Sequence, residues 1–588
     1  MTYAEEKKKY GREPVWIVEL TLDYCSLVYG TAPCTAAIGS TGADKCYNTN
    51  KTCQDKTNYT KESKVYRFSN VILPPSGDLQ FQTINCVENV DFLPSKIEPG
   101  KGIGKRSVIT VTLNDFTHSD LTVDKYVADR AYDSAERGTY FTKLMARNPY
   151  YQGRKIVVKT GYITGGQSPD AANFESREYL IERIEGPDKG GKVRIIGKDP
   201  LRALDEKRSV APRASTGKLL LALNNSDGVF SLTPAGVGNL EYSASGYIVI
   251  EEEVMSFTRA GDVLTVSRAQ KNTLAVAHDI DTNVQECYSC NNTFITDILY
   301  DLLTNVKHAG LDPSYIDLAD WNAEASVWLT EYDLTAVVTK PTGVGKLIEE
   351  LSQQCQLFIW WDERTQKIKL KAVRPWAFDT VLELSDRYNI IADSQSVKDR
   401  PDDRITQVHV YYGQKNPTED LEKPWNFKRL NVTTDADAES ADQYGDARIK
   451  QIYSRWITDS QLSQAVKLST RMTERYRQTP RSITLRVDAK DSDAWTGDVV
   501  KVTMRTLTDY SGAPLPTYLQ IVEAKEAVLG TVYEYVLEDT NFNGRYGFWA
   551  PTGIPDYGSA TDDQRSRYGF WANSSGLMSD GSPGYKYA

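Results

Sequence analysis

The sequence predicts a mainly β fold with α+β insertions, and three observations carry that expectation. Apolar–polar alternation with a period of two recurs through the first 200 residues and again beyond residue 480. Aromatic content is 10%, with 35 Tyr and 11 Trp, residue types suited to pleated, half-buried surfaces and to interfaces. Between residues 294 and 355, and once more over 459–477, the apolar period lengthens to that of a helix. At 588 residues the chain exceeds a single core, so roughly three to five domains are expected.

In chain order, Val15–Tyr24, Lys64–Leu73, Ser107–Leu113 and Arg154–Gly161 read as strands. Residues 120–150 read as helical or irregular, with Pro149 as a stop. Tyr179–Ile184 and Lys192–Ile196 flank a Gly/Pro/Asp turn and form a hairpin. Residues 215–286 form a separate small β unit turning at Arg259–Asp262. Within it Val249, Glu251 and Glu253 alternate, which predicts carboxylates on a solvated strand face. Phe294, Ile298, Leu299, Leu302 and Leu303 mark a helix, with Asn292 or Thr293 as N-cap and Gly310 beyond its end. A second helix over Gly343–Cys355 leads into the hairpin LFIWW–KIKLKAV. A strand over 403–411, a helix over Asp459–Arg477 and four strands between Ser482 and Leu537 follow.

Four cysteines crowd the loop between the first two strands. Cys25, Cys34, Cys46 and Cys53 are spaced C-x8-C-x11-C-x6-C in a Gly/Thr/Asn/Lys-rich stretch with few apolar residues. A loop of about 40 residues inside a compact domain needs something covalent or inorganic to order it. A tetrathiolate Fe–S or zinc site, two disulfides, or free thiols are the alternatives. No apolar signal region precedes the loop and no run of apolar residues is long enough to span a membrane, so synthesis in a reducing cytoplasm is expected, which favours a metal or cluster.

Catalytic signatures are missing. The four His are unpaired at any ligand spacing, and no phosphate loop, nucleophile elbow or dinucleotide fingerprint occurs. Cys287 and Cys290 form a lone C-x-x-C and read as structural thiols, while Cys86 and Cys355 are singletons, Cys355 on the apolar face of its helix. The net charge of −10 argues against holding nucleic acid by phosphate neutralisation. The hexapeptide RYGFWA occurs at 545–550 and again at 567–572, in a Gly/Ser/Asp/Pro background. Its rings, Tyr546, Phe548, Trp549, Tyr568, Phe570 and Trp571, read as exposed anchors for partner docking.

Five passages in this order resemble the tail-tip or baseplate hub proteins of long-tailed, siphophage-type bacteriophages and of related gene transfer agents. They are the four-cysteine run YCSLVYGTAPCTAAIGSTGADKCYNTNKTCQD, the segment REYLIERIEGPDKGGKVRIIGKDPLRALDE, the unit from IVIEEEV to DTNVQ, the stretch Phe294–Arg374, and the terminal pair of RYGFWA copies. The resemblance implies two tail-tube-like β-barrel domains, at 1–205 with the cysteine-rich insertion 25–64, and at 379–540. It also implies a small β insertion at 206–290, a helix–hairpin domain at 291–378 and a docking tail at 541–588. It further implies a [4Fe–4S] cluster on Cys25, Cys34, Cys46 and Cys53, with structural zinc as the alternative. The expected assembly is a homotrimer that joins a sixfold tail tube to a threefold tip. Its expected neighbours are a distal tube-ring protein, a tape measure protein and a central tail fibre or tip protein. DNA would pass through its channel without specific binding, in a virion assembled in the host bacterial cytoplasm. A receptor-binding adhesion protein and a tip-associated cell-wall hydrolase are the competing readings.

Overall fold

The computed structural model describes residues 2–37, 44–74, 76–100, 102–163, 169–374, 381–539, 548–550, 552–573 and 575–583. The chain is mainly β, with 38% strand against 19% helix. Among the described residues no helix is long and apolar enough to cross a membrane.

Ten strands serve the N-terminal part: β1 (Glu13–Cys25), β2 (Lys61–Ser69), β3 (Ile84–Asn85), β4 (Val87–Leu93), β5 (Lys96–Glu98), β6 (Gly102–Lys105), β7 (Val108–Asn114), β8 (Lys155–Ile163), β9 (Phe174–Glu185) and β10 (Lys192–Lys198). Eight of them form one sheet in the order β3-β2-β1-β8-β9-β10-β7-β4. Its two edge strands are consecutive in the chain, with Cys86 alone between them. The Cys86 N–H donates to the Ser69 carbonyl at 3.0 Å, and its carbonyl accepts from the Asn114 N–H at 2.8 Å. One residue therefore bonds to both ends of the sheet. Alternation supplies the interior: Val18, Leu20 and Leu22 of β1 meet Ile109, Val111 and Leu113 of β7 and Ile156 and Val158 of β8. The Tyr140–Arg147 helix adds Tyr140, Phe141 and Leu144 to the same core.

A second eight-stranded sheet gathers Leu382–Ser385, Val499–Thr503, Thr517–Val528, Val532–Asp539, Arg481–Asp488 and Ser396–Asp399 in that order. Its remaining members are the N-terminal hairpin β5–β6, joined through Lys96 opposite Glu523. Polar ties lock the two sheets together. Arg177 reaches Glu526 at 2.7 Å, both side chains being 2% exposed. Arg12 holds Asp488 through two bonds, and the Tyr162 hydroxyl donates to the Gly530 carbonyl at 2.6 Å. Losing one partner of a buried pair such as Arg177–Glu526 costs about 3–5 kcal/mol, because the other charge is stranded.

Residues 404–477 add a three-stranded sheet, Phe427–Thr434, Gln407–Gln414 and Ile449–Tyr453 in that order, with the Leu462–Tyr476 helix on one face. The Ile295–Thr304, Leu318–Trp328 and Val344–Gln354 helices pack on the hairpin Leu357–Asp362/Lys367–Ala372, where the Trp321 indole donates to the Ile368 carbonyl at 2.9 Å. The expected cap at Asn292 or Thr293 is not used. The Tyr288–Phe294 strand runs straight into the helix, and the Ile295 N–H is satisfied by the Tyr332 carbonyl at 3.1 Å.

The inserted six-stranded sheet leaves and rejoins the body at one root, where the Ser215 N–H donates to Gln285 Oε1 at 3.1 Å and the Val284 N–H to the Gly217 carbonyl at 2.9 Å. Its carboxylates do not line a solvated strand face. The Ser245–Ile250 strand ends before Glu251, which turns the chain at φ +53°. Glu253 is buried, accepting from both arms of Arg268, from the Ala269 and Val276 N–H groups and facing His278 Nε2 at 3.0 Å.

Candidate metal centre

β1 ends at Cys25, which pairs with Lys61 at the start of β2. The cysteine loop therefore departs from and returns to the end of a single hairpin. Asn48, in the left-handed region at φ +54°, folds the middle of the loop back onto that end. Its carbonyl accepts from the Cys25 N–H at 2.7 Å, and its Nδ2 donates to the carbonyls of Cys25 and Leu27. Short bends place the next thiols, with the Cys34 N–H on the Thr31 carbonyl and the Cys53 N–H on the Asn50 carbonyl. The Asp55 carboxylate joins the two bends, accepting from the Thr35 N–H at 2.7 Å and the Thr35 hydroxyl at 2.9 Å. The Thr35 N–H, the Asn58 amide and the Thr35 hydroxyl hold the Asp55 carboxyl down to about 2.

A segment distant in sequence fixes this loop from below. Arg130 and Asp124 form a forked ion pair with both side chains at 0% exposure, the Nε–Oδ2 distance being 2.7 Å. The same guanidinium donates to the Lys45 carbonyl at 2.7 Å and the Cys46 carbonyl at 3.2 Å. It also stacks on the Tyr47 ring at 4.0 Å. The Tyr126 hydroxyl accepts from the Tyr29 N–H at 2.7 Å. Backbone carbonyls that an apolar-poor loop cannot satisfy internally thus receive charged donors from the body of the domain.

Cys25, Cys34, Cys46 and Cys53 line one small cavity together with Tyr29, Asn48, Asp55 and Tyr59. All eight cysteines of the chain are free thiols. Burial pushes the Cys46 thiol above the ordinary cysteine range, and Cys53, Cys34 and Cys25 push it the same way against the Asn48 backbone N–H. A bound metal reverses that balance, since its positive charge stabilises thiolates. The cavity also holds two orphaned polar atoms, the Tyr59 hydroxyl and Asn48 Oδ1, both buried without a hydrogen-bond partner. Soft donors around one space, with an idle hydroxyl in its wall, suit a thiolate-bound group. Among the described residues no three Cys, His, Asp or Glu side chains converge as a single ion requires.

The remaining cysteines lie elsewhere. Burial pushes Cys86 up to about 12 and Cys290 up to about 11, and raises Cys287 and Cys355 further. Such thiols are inert packing groups.

The C-terminal rings divide. Tyr546 lies outside the described residues. The backbones of Phe548 and Trp549 pair in parallel with Tyr568 and Gly569. The two hexapeptide copies therefore bind each other, offset by two residues, which the repeat alone did not disclose. Tyr568 and Phe570 are half-buried rather than exposed, Phe570 meeting Tyr557 edge-on at 5.4 Å, while Trp571 is 79% exposed.

No protein-family model matches the sequence, and no curated protein resembles it. Among solved structures the chain is similar to a tail protein from Neisseria meningitidis MC58, at 10% identity and TM-score 0.35 over 76% of this chain and 91% of that one. It is also similar to the prophage MuSo2 43 kDa tail protein from Shewanella oneidensis, at 10% identity and TM-score 0.34 over 77% and 99%. A third likeness is to prophage tail protein gp18 from Listeria monocytogenes EGD-e, at 11% identity and TM-score 0.29 over 67% and 87%. Likenesses at this level define neither fold nor function.

Proposed function

We propose that this chain is a structural, non-enzymatic hub protein of a bacteriophage tail tip, present in the virion as a homotrimeric ring between the sixfold tail tube and the threefold tip. The observation that carries the reading is the doubling of the sheet. Two eight-stranded sheets lie in one chain, tied by Arg177–Glu526 and Arg12–Asp488, and the first bonds its own two edges through Cys86. Three copies of such a chain present six sheets around one axis, which is how a threefold ring matches a sixfold neighbour. The neighbours are a distal tube ring, a tape measure protein and a central fibre or tip protein. The net charge of −10 suits a channel wall that repels passing DNA.

In this reading Cys25, Cys34, Cys46 and Cys53 hold a [4Fe–4S] cluster as a staple. Four soft thiol donors around one cavity support a thiolate-bound group, and the resemblance of the four-cysteine run favours the cluster over a single zinc. When bound, the cluster would supply covalent ties at four separated points of a loop that lacks an apolar core. Microscopy of assembled tail tips tests the hub role: threefold density for this chain is expected, and a sixfold ring of it overturns the reading. Iron and sulfide analysis of anaerobically purified protein tests the centre, where zinc without iron replaces the cluster with a zinc site.

A further inference from the structure

The three-stranded sheet of residues 404–477 ends in the Ile449–Tyr453 strand, and among the described residues no strand pairs with its outer side. An open strand edge is a template for a further strand unless it is blunted. This one runs beside a cavity lined by Gln353, Arg404, Ile405, Arg448, Lys450 and Met472, with Asp402, Asp403 and Ile449 completing its wall. Register places the cavity on a defined side of the strand. Lys450 lies opposite Val408 and Ile452 opposite Val410, and Val408, Val410 and Ile452 pack with Met472 of the Leu462–Tyr476 helix. Lys450 and Ile452 therefore share the helix-side face, as alternate residues of one strand do, and Arg448, just before the strand, lines the same cavity.

Arg404 is the second, independent observation. It is 5% exposed, stacks on the Tyr444 ring at 4.0 Å and pairs through Nη2 with Asp446. Its Nη1 is buried with no hydrogen-bond partner. A guanidinium donor left unpaired in a nearly buried arginine is costly unless something arrives to accept from it. The nearby carboxylates are engaged or rim-placed: Asp446 also holds Arg448 at 2.8 Å, Asp403 faces Arg400 at 3.3 Å, and Asp402 is exposed.

We propose that the Ile449–Tyr453 edge accepts an extended segment of another polypeptide, which adds a strand there and places a carboxylate side chain in the cavity against Arg404, Arg448 and Lys450. Main-chain bonds to the edge supply affinity, and the acidic side chain fixes register and selectivity. The carboxylate meets Arg404 Nη1 as a charge-assisted bond at the floor of a cavity that opens to solvent beside Arg448 and Lys450.

The test uses the full chain and three sets of capped seven-residue peptides, randomised at six positions, with Glu, Gln or Lys fixed at the centre. Bound peptides are counted by mass spectrometry, and amide exchange is followed over residues 449–453. Glu peptides should be recovered about tenfold over Gln, the ratio of one charge-assisted bond worth about 1.4 kcal/mol. They should also slow exchange at 449–453. Arg404→Gln should abolish the preference. Lys450→Glu, at an exposed site that leaves the fold intact, should reverse it toward Lys even where Arg404→Gln fails to fold. Equal recovery of the three sets, a preference untouched by Lys450→Glu, or protection elsewhere overturns the proposal. Protection of 449–453 by self-association without peptide also overturns it, because the occupant is then a second copy.

Discussion

The cysteine loop and the C-terminal segment are made of similar material, rich in Gly, Ser, Asn, Asp and Thr and poor in aliphatic side chains, yet they are ordered by opposite means. The loop borrows its order: Arg130 and Asp124 are planted in the body of the domain and reach up to the carbonyls of Lys45 and Cys46. The C-terminal segment organises itself, pairing Phe548–Trp549 with Tyr568–Gly569 and holding Arg565 on the Tyr557 and Gly558 carbonyls. A chain without a core must either lean on a neighbour's buried charge or shorten into local turns, and the first route concentrates stability in very few side chains.

That difference breaks first at Arg130. Arg130→Ala strands a fully buried Asp124 and should cost about 3–5 kcal/mol of local stability, read as lost exchange protection over residues 44–60. Arg565→Ala, half-buried in the short Asp562–Arg567 helix, should cost within about 1 kcal/mol by the same measurement over 552–573. Equal losses would show that the two segments are not held differently.

Next comes the metal. Cys46→Ser should release the iron bound after anaerobic reconstitution and make residues 44–60 the earliest site of tryptic cleavage, whereas Cys290→Ser should leave the iron content unchanged. Retained iron in Cys46→Ser would remove that thiol from the centre.

The inserted sheet, which has its own core, supplies a third case. Burial alone would raise Glu253, but Arg268, the Val276 and Ala269 N–H groups and His278 bring it from 4.5 down to about 2. A carboxyl depressed in the folded state contributes stability that is present above its unfolded value and lost as pH falls through the folded one. Protection factors across Val254–Gln270, which correct for the intrinsic pH dependence of amide exchange, should therefore fall as pH drops from 4.5 toward 2, and Glu253→Gln should flatten that dependence. The smallest effect is expected from truncation after Asp539, which should leave the melting temperature within about 2 °C of the full chain. A large drop would mean the terminal segment braces the sheets.

Much of the fold was legible because its strands alternate cleanly, as in Val108–Asn114 and Arg481–Asp488. The Phe427–Thr434 and Ile449–Tyr453 strands were not read: FKRLNVTT and IKQIY carry charges on a face that stays wet, which hides the period. The Leu318–Trp328 helix was missed although Asp317 caps it by accepting from the Asp320 N–H, because only Trp321 and Ala325 on it are buried. Spacing alone singled out the four thiols. Their support from Arg130 and Asp124 was invisible, since nothing local in a sequence reports a partner more than 80 positions away. Glu253 misled for a related reason, its Arg268 and His278 partners lying across a turn and two strands.

The root of the inserted sheet has a topological consequence. Departure at Ser215 and return at Gln285 are bridged by the Gln285 side chain, while Val249 and Val254 of the inserted sheet pack on Val337 of the body and Lys307 Nζ donates to the Glu241 carbonyl, so the parent fold holds the intervening chain at its root and along one face. Closure entropy grows as the logarithm of the enclosed length, and each doubling adds only about 0.6 kcal/mol. Exposed turns of the inserted sheet that touch neither the root nor that face can therefore lengthen at little expense to the host, which makes them the natural address for grafting a tag or a reporter.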